Sequence, residues 1–194
     1  MAEVRRSGRD RILDTAAELF YADGFHQVGV DLIVERSGVA KTTLYRHFAS
    51  KDELIVAWLE RANRQFREWF DTAVARRRTP KGGLIGVFEA LEKLATSPEC
   101  LGCTFQVTAA EFPDPTHPGH ATAVAHKQAV RHRLRGLAAD TGARDPDALG
   151  DSLLLLMDGA FAAARMYGPD NPAARVAGAA RALIDRAIPP TGRR

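Results

Sequence analysis

The sequence predicts an all-α protein of about nine helices, three in an N-terminal head and about six in a larger body. Three observations lead there. Apolar residues recur at spacings of three and four, and no stretch alternates with the period of two that a half-buried strand requires. A capping side chain stands directly before a proline at Thr79-Pro80, Asp145-Pro146 and Asn171-Pro172, which is how helices open. The Asn-Gly hairpin dipeptide is absent from the sequence. The 194 residues, 45% of them hydrophobic, suffice for a small domain fused to a larger one. No apolar run approaches the roughly 18 residues of a membrane span. The start MAEVRRSGRD lacks the apolar stretch of a signal peptide, so a cytoplasmic protein without a membrane partner is expected. Two cysteines are too few for a disulfide framework. The net charge of +3 is too small to argue for a nucleic-acid partner, so the placement of the basic residues decides.

Taken in order, Ser7 and Asp10 form a capping box for a first helix with Ile12, Ala16, Leu19 and Phe20 on one face, ending at Gly24. Arg5, Arg6 and Arg9 precede or enter it, either as a solvated tail or as an arm that touches phosphates. Val30, Ile33 and Val34 recur at helical spacing in a second short helix, which Gly38 stops. The pattern restarts after Ala40, with Leu44 and Phe48 marking the buried side of a third helix. At about 100° per residue Arg46 then points directly outward, Thr42 and Thr43 flank it, and Tyr45 and His47 lie at the edges. Lys41 sits in the first turn, where the helix dipole disfavours a cation, so something negative is expected beyond it. A short second helix anchored on one side, offering basic and hydroxyl groups from its N-terminal half, is what a helix-turn-helix requires.

Ser50 and Glu53 form a second capping box, opening a long helix to about Arg77. Leu54, Ile55, Trp58, Leu59, Ala62, Phe66, Trp69, Phe70 and Ala73 fall on one side of it, opposite Glu60, Arg64, Arg67 and Asp71. Further helices are expected at about 80–96, 103–111, 118–139, 146–167 and 172–187. The last two are apolar nearly all round or rich in small residues, and such a pair needs cover from a second copy. Leu153, Met157, Ala160, Ala177, Ala180, Leu183, Ile184 and Ala187 are the residues expected at that dimer interface, against the alternative of a monomeric body with a thick core.

The run Gly24-Phe25, Ile33-Val34, Gly38-Val39, Lys41, Thr43-Leu44-Tyr45, His47-Phe48, Ser50-Lys51 and Glu53-Leu54 resembles the DNA-binding domain of the tetracycline-repressor (TetR) family. The resemblance covers about Arg9 to Leu59 and agrees in spacing and residue type. Two departures stand out. Val28 and Gly29 occupy positions where the family usually carries Thr or Ser, and Ala40 stands where Ser is usual, so backbone N–H groups must replace two capping or phosphate-holding hydroxyls. The resemblance implies a DNA-binding domain over 1–53 and an effector-binding and dimerisation domain over 54–194. It implies a homodimer on a near-palindromic operator, most simply a repressor. Lys41, Thr42, Thr43 and Arg46 would face bases, while Tyr45, His47 and Lys51 would hold phosphates, as matching positions do in the family. It implies no cofactor and no catalytic residue.

A mainly apolar effector would be lined by Leu59, Ala62, Phe66, Phe70 and Phe88, and further by Phe105, Met157 and Phe161, with Gln106 and Glu111 to orient it. Other readings of the middle segment stay open. Cys100 and Cys103 have redox-motif spacing without the βαβ context of a thioredoxin-like site, which leaves burial or a thiol-responsive regulator. Glu111, Asp114, His117, His120 and His126 have metal-binding chemistry but no H-E-x-x-H or paired C-x-x-C pattern, so no metal is expected, Glu111 and the histidines read as polar lining or loop tethers, and a metal-responsive regulator is the lesser alternative. The stripe Lys127, Arg131, Arg133 and Arg135 reads as a solvated face. No phosphate-cradling glycine loop or nucleophile elbow occurs, which argues against an enzyme, although a small helical hydrolase using Glu111 and His120 is conceivable. A constitutive DNA-binding dimer without a ligand is the main alternative regulator.

Overall fold

In the computed structural model, residues 7–189 are described, and they fold into helices without strands. The order is α1 Gly8–Asp23, α2 Val30–Ser37, α3 Lys41–His47, α4 Lys51–Ala75, α5 Pro80–Ala95, α6 Thr104–Glu111, α7 Pro118–Asp140, α8 Pro146–Tyr167 and α9 Val176–Ala187. Arg5 and Arg6 lie outside the described residues. The chain divides into two compact units, one holding residues through Arg64 with Thr104–Ala125, the other Gln65–Cys103 with the residues from His126 on. This differs from the boundary expected after residue 53. The first fourteen residues of α4, all of α6 and the start of α7 go with the head.

The first unit is built on an apolar centre from α1, α2, α3 and α4. Ile12, Ala16, Phe20, Ile33, Leu44, Phe48, Leu54 and Ile55 are all buried. Leu13 is buried where Leu19 was expected, Leu19 being only half-buried. Phe20, Phe25 and Trp58 meet at centroid distances of 5.1–5.9 Å. Such contacts add about 0.5–1.5 kcal/mol each beyond the area they bury. The caps form as the sequence dictates. Ser7 Oγ accepts the Asp10 N–H at 3.1 Å, and Ser50 Oγ accepts the Glu53 N–H at 3.1 Å. The Glu53 carboxylate reaches back to the N–H of Ala49 rather than that of Ser50. Asp14 and Arg61, half-buried at 2.6 Å, tie α1 to α4.

A carboxylate ties the end of α6 to this unit. Glu111, at the end of α6, accepts the backbone N–H groups of Phe25 at 2.8 Å and His26 at 3.0 Å. Its approach is possible because residue 24 is glycine: a Cβ there would stand 2.6 Å from Glu111 Oε1, and φ is +83°. Phe112 then packs on Phe25 at 5.4 Å and stacks on His117 at 4.0 Å, and His117 Nε2 lies 3.5 Å from Asp52. Glu111 is therefore a fastener of the turn after α1, not a free polar group waiting to orient a ligand.

The second unit has α5 at its centre, with Leu84, Val87, Phe88 and Leu91 fully buried and α8 and α9 against it. The expected helix at 172–187 begins instead with a 3-10 turn over Pro172–Arg175. Asn171 explains the tighter turn: its side chain accepts from Ala173 N–H and donates to Ala95 and Gly168 carbonyls. The basic stripe of α7 is not simply solvated. Lys127 pairs with Asp158, Arg131 and Arg135 with Asp151, Arg135 also with Asp147, and Arg133 with Asp71. The two arginines hold the Asp151 carboxyl far below the usual carboxylate range.

The expected dimer face needs correction. Leu153, Met157, Ala160, Ala180 and Ile184 are buried within the chain, at 0–4% exposure, and have no surface to offer a partner. Ala177, Leu183 and Ala187 are half-buried. Periodicity marks apolar faces but not which neighbour covers each. The outward face of α8 carries Leu155 and Met166, each 73% exposed, with the exposed Gly159 and Ala162 between them. On α9 the exposed small residues are Gly178, Ala179 and Ala182.

Candidate nucleic-acid interface

The α2–α3 pair is positioned by a single turn. Gly38 takes the left-handed conformation, φ +62° and ψ +27°, and closes α2 through a bond to Glu35 O. Three residues on, α3 begins, with Leu44 fully buried and Phe48 1% exposed beneath it. These two side chains fix the rotation of α3. Lys41, Thr42, Tyr45 and Arg46 are consequently exposed, while Thr43 and His47 are half-buried at the edge. That edge borders the start of α1, since a Cβ on Gly8 would lie 3.6 Å from Thr43 Cγ2 and 3.9 Å from His47 Nε2. The Arg9 guanidinium sits 5.2 Å from the Phe48 ring centroid, on the same side of the head as the C-terminal end of α3.

Neither short helix has a side-chain cap. Gly29 precedes α2 and Ala40 precedes α3, and neither makes a side-chain bond to a helix N–H. The Thr43 N–H bonds the Ala40 carbonyl at 2.8 Å, and the N–H groups ahead of it have no side-chain cap, an arrangement that suits phosphate oxygens. The negative group expected beyond Lys41 is found within the chain: Lys41 Nζ lies 2.6 Å from Asp31 Oδ1, in the first turn of α2. The hydrogen bond to Asp31 raises the Lys41 pKa above its ordinary value. Sequence reasoning missed Asp31, although an acid in the first turn of the preceding helix was a usable signal.

Lys51, at the start of α4, donates to the Phe25 carbonyl at 2.6 Å. Partial burial lowers its pKa, with Asp52 and Glu111 acting in the opposite sense. One of its three N–H donors is thus engaged by the turn that Glu111 also holds, and two remain.

The residues expected around an effector fall in both units. In the first, Leu59 is fully buried and Phe105 is 4% exposed, while Ala62 and Gln106 are half-buried. In the second, Phe70 and Phe88 have no exposed surface, Met157 and Phe161 are 1% and 6% exposed, and Phe66 is half-buried. Zero exposure means that no water-sized space borders Leu59, Phe70 or Phe88, so a ligand reaches them only if side chains move. Phe66 makes an edge contact with His126 at 4.9 Å, and Arg133 covers the Phe70 ring at 4.5 Å. The second unit also has a surface groove of about 290 Å³ between α4 and α5, lined by Gln65, Trp69, Thr72, Arg76 and Ala90.

Cys100 and Cys103 are free thiols, both buried, and Cys103 directly precedes α6. Among the described residues, no three His, Cys, Asp or Glu side chains converge as metal ligands. The candidate ligands have other partners: His120 Nδ1 is 2.7 Å from the Phe112 carbonyl, and Asp114 holds the N–H and hydroxyl of Thr116. No helix among the described residues is long and apolar enough to cross a membrane.

Residues 12–58 match the model of the bacterial regulatory proteins of the tetR family. The fold as a whole resembles a TetR-family transcriptional regulator from Streptomyces coelicolor, at 35% identity over 94% of this chain and 96% of that one, with a TM-score of 0.90. A TetR-type regulator from Streptomyces avermitilis is 34% identical over 94% of this chain and 98% of that one, with a TM-score of 0.82. Among curated relatives, the HTH-type transcriptional activator FasR of Mycolicibacterium smegmatis is 46% identical over 57 residues, 29% of this chain and 26% of that protein. The HTH-type transcriptional regulator UidR of Escherichia coli is 42% identical over 64 residues, 31% of this chain. These matches span about a quarter to a third of the length of the curated relatives.

Proposed function

For a chain that belongs to the TetR family of DNA-binding transcriptional regulators, and is therefore no enzyme, we propose a homodimeric repressor released from a near-palindromic operator by a small, mainly apolar effector. The observation that carries the DNA half of this reading is the orientation of α3. Leu44 and Phe48 anchor one side, which leaves Lys41, Thr42, Tyr45 and Arg46 outward. Lys41 and Arg46 would meet guanine O6 and N7, and the methyl groups of Thr42 and Thr43 would meet thymine methyls. Tyr45, His47 and Lys51 would hold phosphates, with Arg9 and the uncapped N-termini of α2 and α3 beside them. Such a protein works beside the chromosome, in the cytoplasm.

The dimer half rests on the outer faces of α8 and α9. A strip of Leu155, Gly159, Ala162 and Met166 follows the i, i+4, i+7, i+11 spacing of one helical face. Small residues in its middle let a second helix approach closely, and exposed leucine and methionine at the ends supply apolar area. A twofold copy brings the same strip and the Gly178-Ala179-Ala182 face together. This replaces the buried residues expected from periodicity.

Control requires that effector and DNA prefer different states. α4 contributes residues 51–64 to the first unit and 65–75 to the second, so a ligand that repacks Phe66 and Phe70 acts on the helix that continues into the head. A coupling of about 1–3 kcal/mol weakens DNA binding roughly 5- to 150-fold. The test is a selection of bound sequences from random duplexes, repeated with apolar small molecules. A near-palindrome with half-sites about one turn apart, released by such a molecule, is expected. Enrichment of no sequence would remove the DNA reading. Binding that no apolar compound changes would leave a constitutive DNA-binding dimer.

A further inference from the structure

A lysine at the first position of a helix is badly placed, because the dipole and the unpaired N–H groups there repel a cation. Ala40 offers no cap to soften this. The structure balances the charge from the neighbouring helix: the Asp31 carboxylate, in the first turn of α2, holds the Lys41 ammonium at 2.6 Å. Side-chain exposures of 53% for Lys41 and 81% for Asp31 put the pair at the surface, where ion pairs add little to stability. Its consequence lies in what it does to a DNA contact.

Resting on the DNA reading above, we infer that Asp31 is a specificity-determining positioning residue: it holds Lys41 for a base edge and keeps it from serving as a general phosphate anchor. An unheld lysine is a point charge on a flexible four-carbon stem, and the nearest strong attractor on a duplex is a phosphate. Phosphate contacts set register but carry no sequence information. With one N–H donor engaged by Asp31, the ammonium keeps two donors in restricted directions, enough for guanine O6 and N7. A phosphate that approached Lys41 would also have to approach the Asp31 carboxylate. The pair carries no net charge, so Lys41 adds nothing to the count of neutralised phosphates.

Three proteins decide it: the wild type, Asp31→Asn and Asp31→Glu, each taken through selection from random duplexes and titrated against salt. Asp31→Asn should bind non-selected duplex several-fold more tightly at low salt. Its log–log salt dependence should steepen by about 0.9 per freed lysine, or roughly two units for a dimer. Preference should flatten at one base pair in each half-site. Asp31→Glu, which restores the carboxylate, should keep the wild-type preference and slope. Adding Lys41→Ala to Asp31→Asn should return the slope to that of the wild type. Asp31→Asn with unchanged slope and preference would overturn the inference. So would its loss of binding to every duplex, because Asp31 would then serve affinity or the fold of the head. A wild type that selects no sequence at all would instead sink the DNA reading, whatever Asp31 does.

Discussion

The outer side of α3 and the outer side of α8 are both exposed helix faces, yet their chemistry is opposite. Along α3 the solvent meets Lys41, Thr42, Tyr45 and Arg46, groups that donate hydrogen bonds or carry positive charge. Along α8 it meets Leu155, Gly159, Ala162 and Met166, which can do neither. The first face loses little by staying hydrated and gains from a polyanion with ordered acceptors. The second gains only by leaving water, so its natural counterpart is another apolar protein surface. On the proposed reading, the first face meets a nucleic acid and the second meets another copy of the chain.

The comparison breaks most visibly on α8. Ala162→Asp puts a charge in the middle of the apolar strip, and a charge buried there without a partner costs about 3–5 kcal/mol. Sedimentation should show folded monomers, and affinity for a two-half-site duplex should fall on the order of 10²- to 10⁴-fold as the linkage is lost. Ala180→Asp sharpens the point. Ala180 is fully buried inside the chain, so that variant should lose its fold in circular dichroism rather than only its partner. A folded monomer from Ala180→Asp would return the interface to the inner face.

On α3 the expected effect is smaller and of another kind. Arg46→Ala should cost about 1–3 kcal/mol per base contact and relax preference at that position, read from competition with altered duplexes. A uniform loss across all sequences would make Arg46 a phosphate ligand instead. Glu111→Gln tests how firmly the turn beside this face is held. Weakening the charge-assisted bonds to Phe25 and His26 should lower stability by about 1–3 kcal/mol in urea unfolding, with the dimer retained. An unchanged midpoint would show that the aromatic contacts of Phe112 suffice alone.

An effect of another kind should appear with acid, through His126 on α7. His126 is buried, and desolvation, aided by Lys127, lowers its pKa from 6.5 to about 3. The folded chain therefore keeps it neutral while the unfolded chain protonates it below pH 6.5. Stability should fall as pH drops through that value, by up to about 1.4 kcal/mol per pH unit, until folded His126 itself protonates near pH 3. His126→Phe should flatten this part of the stability profile. The same slope in both proteins would place the acid sensitivity on other groups.

Legibility in the sequence followed the range of the interaction. The caps at Ser7, Ser50, Thr79, Asp145 and Asn171, and the stop at Gly38, depend on residues within a few positions of one another. They were readable, and so was the rotation of α3 from Leu44 and Phe48. Glu111 was half readable: tethering a loop is among the roles expected of it, but its partners stand 85 and 86 positions away, and a glutamate ending a helix looks equally suited to a ligand. The stripe on α7 reads as solvated for the same reason, its acids lying on α4 and α8. On α8 the failure was one of degeneracy. A helix apolar on two sides announces that both are covered, but not that Leu153 and Met157 are covered within the chain while Leu155 and Met166 are left facing solvent. Asp31 is hard to read for a related reason: its partner Lys41 stands on the next helix, across the turn at Gly38.

The proposed dimer makes two heads act together by pairing the α8 faces of two chains. Its most direct test is the mass of the protein–DNA complex, by sedimentation on a selected duplex and on the same duplex cut to one half-site. Two chains on the full duplex, with at least a hundredfold weaker binding to the half-site, is the predicted result. A single chain bound equally well to both duplexes would contradict it.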